Sequence, residues 1–147
     1  MAALIARAMG WDAEDHGNPF PDRGSVDADL WRNVGTLAYY NVAKGYQDGT
    51  YKPTANVLNV QVVAFITRAM VAKGYWTPAE DAGLYANVPA TSGHRGDLAT
   101  YYANAGAIPG TDPAAGWAGW DQPSTRGWFA LAEWQALDSY WGVDRVE

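Results

Sequence analysis

Gly45-Tyr46-Gln47-Asp48-Gly49-Thr50-Tyr51-Lys52-Pro53 separates two apolar runs, and its reading decides how the chain is organised. Asp48-Gly49 is turn chemistry: an Asp side chain bonds backbone two residues on, and Gly accepts positive φ without steric cost. Lys52 precedes a proline and is expected to leave the turn extended, because proline pushes its predecessor out of the helical region. Leu30, Val34, Leu37 and Ala38 precede the stretch and Val62, Phe65, Ile66, Ala69 and Met70 follow it, both sets at helical spacing. The stretch is therefore read as a compact turn with a short extended exit, joining two helices.

The same pattern recurs along the chain. Ile5-Ala6-Arg7-Ala8-Met9 returns as Ile66-Thr67-Arg68-Ala69-Met70, and the stripe Met1, Leu4, Ile5, Ala8, Met9 maps onto Val62, Phe65, Ile66, Ala69, Met70. A third copy is Phe129, Ala132, Glu133, Ala136, Leu137, in which Glu133 breaks the apolar pattern. Gly10-Trp11, Gly74-Tyr75-Trp76 and Tyr140-Trp141-Gly142 follow the stripes as Gly-and-aromatic helix stops. The helix Leu37–Gly45 lines up with Tyr102–Gly110, and the pairs Phe20-Pro21-Asp22 and Tyr85-Ala86-Asn87 stand ahead of these helices as turns. Asp27 is expected to cap the helix carrying Trp31, and Ser124 or Thr125 the last helix.

The expected organisation is the tail of one unit (1–15), a complete unit (16–76) and an elaborated unit (77–147). Each complete unit is a helix, a long turn and a helix. The chain opens on helical spacing with no cap before it, which suggests a repeat whose beginning lies upstream. A helix pair cannot bury its own stripe, so the units must pack on one another. The expected fold is mainly α: repeats packed as a pseudo-three-fold bundle with long inter-helix loops.

Composition narrows the chemistry. Of 147 residues, 48% are apolar and 18% charged, an ordinary globular balance. The net charge of −6 argues against nucleic acid and anionic membrane as partners. No stretch is long and apolar enough for membrane insertion, and the start does not read as a secretory leader. Eight Trp and nine Tyr against three Phe either fill a small core or offer flat faces to sugars; composition does not separate the two. No nucleotide-binding glycine motif occurs, and no cofactor is expected. His16 and His94 are read as isolated surface histidines without metal-ligand spacing. Asp12, Glu14 and Asp15 do not make a calcium loop, and Ser124 and Ser139 lack a nucleophile context. Since no acid pair stands out, a wall-glycan hydrolase is disfavoured and no catalysis is expected.

Phe20-x-Asp22, Trp31, Gly45-Tyr46-x-Asp48-Gly49-Thr50-Tyr51-Lys52-Pro53 and the Arg68-to-Gly74 helix end together resemble a surface-layer homology (SLH) repeat. The resemblance is closest in the middle unit and reduced to a helix tail in the first. It implies a three-fold pseudo-symmetric module that holds exported proteins non-covalently on the bacterial cell wall, at the cell surface. The implied partner is an anionic secondary cell-wall polysaccharide, often pyruvylated, held in grooves between repeats.

Carried over by position, Thr125-Arg126 keeps the start of the family's Thr-Arg-Ala-Glu motif, with Gly127-Trp128 following instead of Ala-Glu. Arg126 is the leading candidate for a carboxylate contact, since a guanidinium pairs bidentately with it. In the middle unit Leu58-Asn59-Val60-Gln61 replaces the motif. Asn59 is able to bond a hydroxyl but not to neutralise an acid. Trp31 is either a sugar platform or a packing residue; Tyr46, Asp48 and Lys52 line the turn, with Asp48 chiefly a turn former. The expected carbohydrate-binding set is thus Arg126, Thr125, Trp31, Tyr46, Asp48, Lys52, Asn59 and Gln61. The alternative reading is a self-assembling surface-layer or filament subunit whose sugar binding has decayed.

Overall fold

The computed structural model describes residues 1–142. The last five residues of the expected third unit, 143–147, lie outside the described part. The described residues form five α-helices: α1 (Ala2–Ala8), α2 (Ala28–Tyr39), α3 (Asn59–Ala72), α4 (Arg95–Ala105) and α5 (Arg126–Trp141). A short 3-10 turn, Ala90–Ser92, precedes α4. The chain is mainly α, as its spacing predicts, and among the described residues β pairing is limited to the isolated bridges Leu58–Pro123 and Asp112–Gly116. None of these helices is long and apolar enough to cross a membrane.

The chain gathers into two compact units, residues 1–55 and residues from 56 on. In the first, α1 packs on α2; in the second, α3 packs on α4, and α5 packs on both. The packing pair is therefore offset by one helix from the sequence repeat. The long Gly45–Pro53 turn joins α2 to α3, but each of these helices finds its main partner elsewhere.

The two pairs are built alike. The C-termini of α1 and α3 close identically: Gly10 and Gly74 take φ of 73° and 76°. Gly10 N–H bonds Arg7 C=O and Trp11 N–H bonds Ala6 C=O; Gly74 and Tyr75 repeat this on Val71 and Met70. Trp11 and Trp76, 3% and 5% exposed, then tuck beneath the pair. Trp11 stacks on Tyr40 at 3.9 Å and Trp76 meets the edge of Tyr101 at 5.4 Å. The expected third helix stop differs, because Tyr140 and Trp141 belong to the last turn of α5 and only Gly142 follows it.

A buried threonine marks the register. Thr36 Oγ1 donates in its helix to Arg32 C=O and across the loop to Glu14 C=O; Thr100 Oγ1 does the same with Gly96 and Ala79. Val34 and Leu37 in α2 thus correspond to Leu98 and Tyr101 in α4, all buried. This moves the expected alignment by one residue: Tyr102, matched to Leu37 by sequence, is 39% exposed. Burial and the threonine bond select the register that the weakly patterned α4 sequence leaves open.

The stripes are corrected in the same way. The buried set in α1 is Ala2, Ile5, Ala6 and Met9; in the register of the matching helix ends Ala2, Ile5 and Ala6 fall on Ile66, Ala69 and Met70, all buried in α3. Leu4 is 45% exposed instead. The Ala-rich α1 is apolar on more than one face, so spacing alone does not choose among them. In α5 Phe129, Ala132 and Ala136 are buried as expected, whereas Leu137 is only half-buried.

Candidate functional site

The Gly45–Pro53 turn is tightly specified. Tyr46 N–H donates to Thr50 C=O at 2.8 Å and Gly49 N–H to Tyr46 C=O at 3.0 Å. Asp48 accepts the Thr50 backbone N–H at 3.0 Å and its hydroxyl at 2.6 Å. These bonds, the hydroxyl first, hold the Asp48 carboxyl below its ordinary range. Gly45 is required: at φ 72° a Cβ there would lie 2.5 Å from the Phe20 ring and 2.8 Å from Thr50 C=O.

A second carboxylate secures the turn from a distance. Asp22 accepts the N–H groups of Tyr51 and Lys52, and its carboxyl is held low chiefly by the Tyr51 bond. Lys52 is consequently not extended: its φ is 57°, because the double bond to Asp22 pins both amides toward one carboxylate. The role of Phe20-x-Asp22 is thus a clamp on the later turn, beyond the local turn expected.

In the second unit Tyr85-x-Asn87 is the matching clamp. Asn87 Oδ1 accepts Trp117 N–H at 2.7 Å while its Nδ2 donates to Trp117 C=O at 2.8 Å. The Tyr85 hydroxyl accepts Ile108 N–H. Asparagine suits this site because it meets both a donor and an acceptor.

Three candidate residues of the first unit come together on the turn. Lys52 Nζ lies 4.1 Å from the Tyr46 ring centroid and 3.8 Å from Asp48 Oδ2. A cation over an exposed tyrosine beside a carboxylate makes a polar, solvent-facing rim. Trp31 is 8% exposed and meets the edge of Tyr51 at 6.1 Å, so it packs beneath this rim. Burial contributes most to raising the Tyr51 hydroxyl to about 12.

The remaining four candidates belong to the second unit. Residues preceding α3 and α5 lie side by side: Ser124 N–H donates to Val57 C=O at 2.7 Å, and Leu58 pairs with Pro123. The two helix starts therefore emerge from one short ladder, with Asn59 and Arg126 each first in its helix. Thr125 caps α5, accepting Trp128 N–H at 3.1 Å. Gln61, at the third position of α3, reaches back to accept Leu58 N–H at 2.9 Å, the side-chain half of a capping box that Leu58 itself cannot complete. Asn59 Nδ2 donates to Gly119 C=O at 2.9 Å, and its buried Oδ1 has no hydrogen-bond partner. Arg126 is exposed.

Sequence reasoning missed several groups. His16 is not isolated: it stacks on Tyr39 at 3.7 Å and donates to Glu14 at 2.7 Å. His94 likewise stands at the start of α4, 3.9 Å from Asp97, which pairs with Arg68 at 2.9 Å. The Glu14-x-His16 spacing was the available signal for the first; nothing local announces the second. Glu133 is partly buried, and burial raises its carboxyl to about 7.

The geometry is that of packed helix pairs with clamped polar turns between helices. Residues 19–58 match the family model of the S-layer homology domain. The match spans the Asp22 clamp, α2, the full turn and the approach to α3. It supports cell-wall association in general for the segment that carries it. No curated protein and no solved structure matches the chain.

Proposed function

We propose that the chain is a non-catalytic anchor that holds an exported protein on the bacterial cell wall by binding an anionic secondary cell-wall polysaccharide. The observation that carries this reading is the S-layer homology match over the clamped turn. Arg126 is the principal contact: it is exposed at the first position of α5, where a guanidinium and the helix's partial positive charge both favour a carboxylate such as a pyruvyl group. Asn59, beside it at the start of α3, adds a hydrogen-bonding group but no charge. Thr125 and Gln61 act by capping the helices that present these two. In the first unit Tyr46, Lys52 and Asp48 form a second contact rim, supported from below by Trp31.

The reading retains three repeats, 1–15, 16–76 and 77–147, with α1, α3 and α5 as their equivalent helices. The packing of α3 on α5 and the shared buried pattern of α1 and α3 support it. Co-sedimentation of the chain with purified walls, with and without removal of the secondary polysaccharide, tests the function. Binding that disappears with the polysaccharide is expected.

One observation favours self-assembly as a second reading. Leu131 and Trp134 on α5 are 49% and 55% exposed, and an apolar patch of this kind is suited to another subunit. Light scattering distinguishes the two: concentration-dependent growth in mass belongs to the assembling subunit.

A further inference from the structure

In the first unit, an exposed ring is held in place by an unusually complete set of partners. Tyr39, the last residue of α2, is 63% exposed even though His16 covers it in a parallel stack at 3.7 Å and 7°. One face being covered, that exposure leaves the opposite face open to solvent. His16 is itself fixed by donating to Glu14 Oε2 at 2.7 Å, and the same oxygen accepts the Tyr40 hydroxyl at 2.8 Å. Tyr40 meets Tyr39 edge-on at 5.0 Å and stacks on the buried Trp11 at 3.9 Å. The loop carrying His16 is stapled to α2 by Asn18 Nδ2 donating to Trp31 C=O and by Thr36 Oγ1 donating to Glu14 C=O.

We infer that the open face of Tyr39 is a stacking platform for a neutral pyranose. The inference rests on the reading of the chain as a wall-glycan binder but uses a surface separate from Arg126. A ring already locked by stacking and hydrogen bonds loses little freedom on binding, so its contact energy is retained as affinity. A single flat open face suits the C–H face of a sugar, whereas a helix or loop partner would need a groove. Charge selects the class of sugar. Asp12, Glu14 and Asp15 crowd this loop, and the nearby Arg32 is engaged with Asp29 at 3.3 Å and the Asp12 carbonyl at 3.2 Å. An acidic setting disfavours an anionic sugar by like-charge repulsion and leaves a neutral one unaffected.

The test is an NMR titration of the chain with a β-linked N-acetylglucosamine trimer, a galacturonic acid trimer and tetramethylammonium, following the Tyr39 ring signals. The neutral trimer is expected to shift them. Tyr39→Ala should weaken that binding by about tenfold, the scale of one aromatic contact, while Tyr39→Phe, which keeps the ring face, leaves it unchanged. Tyr39 signals that ignore the neutral trimer, or respond to the anionic trimer or to tetramethylammonium instead, overturn the inference. Wall binding through Arg126 is read separately by co-sedimentation, so either result stands without the other.

Discussion

Asp22 accepts the backbone N–H groups of both Tyr51, at 3.0 Å, and Lys52, at 2.8 Å, closing the loop that contains α2 with one carboxylate. Asp22→Ala should therefore lower the melting temperature more than Asp22→Asn, which keeps one acceptor oxygen. The pH dependence follows from the sign of its shift. Because the folded carboxyl lies below its ordinary value of 3.8, its contribution is present above that pH and is lost as pH falls through the lowered value. Thermal melts of the two variants and the parent between about pH 2 and pH 6 check both statements.

The glycines of the turn separate strain from collision. Gly45 and Gly49 both have positive φ, 72° and 82°, but only at Gly45 would a Cβ strike other atoms. Gly49→Ala should cost about 1 kcal/mol for the left-handed conformation alone, and Gly45→Ala at least about 2 kcal/mol. Denaturant unfolding of each variant measures the difference, and equal costs would count against the Phe20 contact.

Glu133 titrates in the opposite sense to Asp22. Burial raises its carboxyl from 4.5 to about 7, so the folded state holds a proton that the unfolded chain has released. The stabilisation is complete below about pH 4.5 and is lost as pH rises through about 7. Glu133→Gln should flatten stability across that window, as urea unfolding at about pH 5 and pH 8 would reveal. A parent protein whose stability does not fall across the interval contradicts the assignment.

Much of the architecture was legible because its chemistry is local. Gly10 and Gly74 announce helix stops, Asp27 and Thr125 announce helix starts, and Asp48-Gly49 announces a turn; each acts within a few residues. What escaped depends on partners far along the chain. Lys52 was expected to be extended from its proline neighbour, but Asp22, 30 residues away, decides its conformation. The register of α4 is set by the Thr100 bond to Ala79 and by burial of Tyr101, neither visible in the spacing of its side chains. Of the candidate site, Arg126 and the Tyr46–Asp48–Lys52 rim were found on exposed turns and helix starts. Trp31 needed the structure to show that it packs beneath the rim.

The paired threonines offer a check on the shared design of α1–α2 and α3–α4. Thr36→Val and Thr100→Val each remove a buried hydroxyl that bridges helix and loop, leaving a loop carbonyl without its bond. Similar losses of about 1–2 kcal/mol are expected, measured by denaturant unfolding. A large cost at one site and none at the other would contradict the equivalence.

Binding of the chain to purified walls, compared with its Arg126→Ala variant at equal concentration, bears most directly on the proposed anchor. Retention of the parent on walls and at least about tenfold weaker retention of the variant is the expected result, as befits one charge-assisted contact. A parent that stays in the supernatant, or a variant that binds as well as the parent, would contradict it.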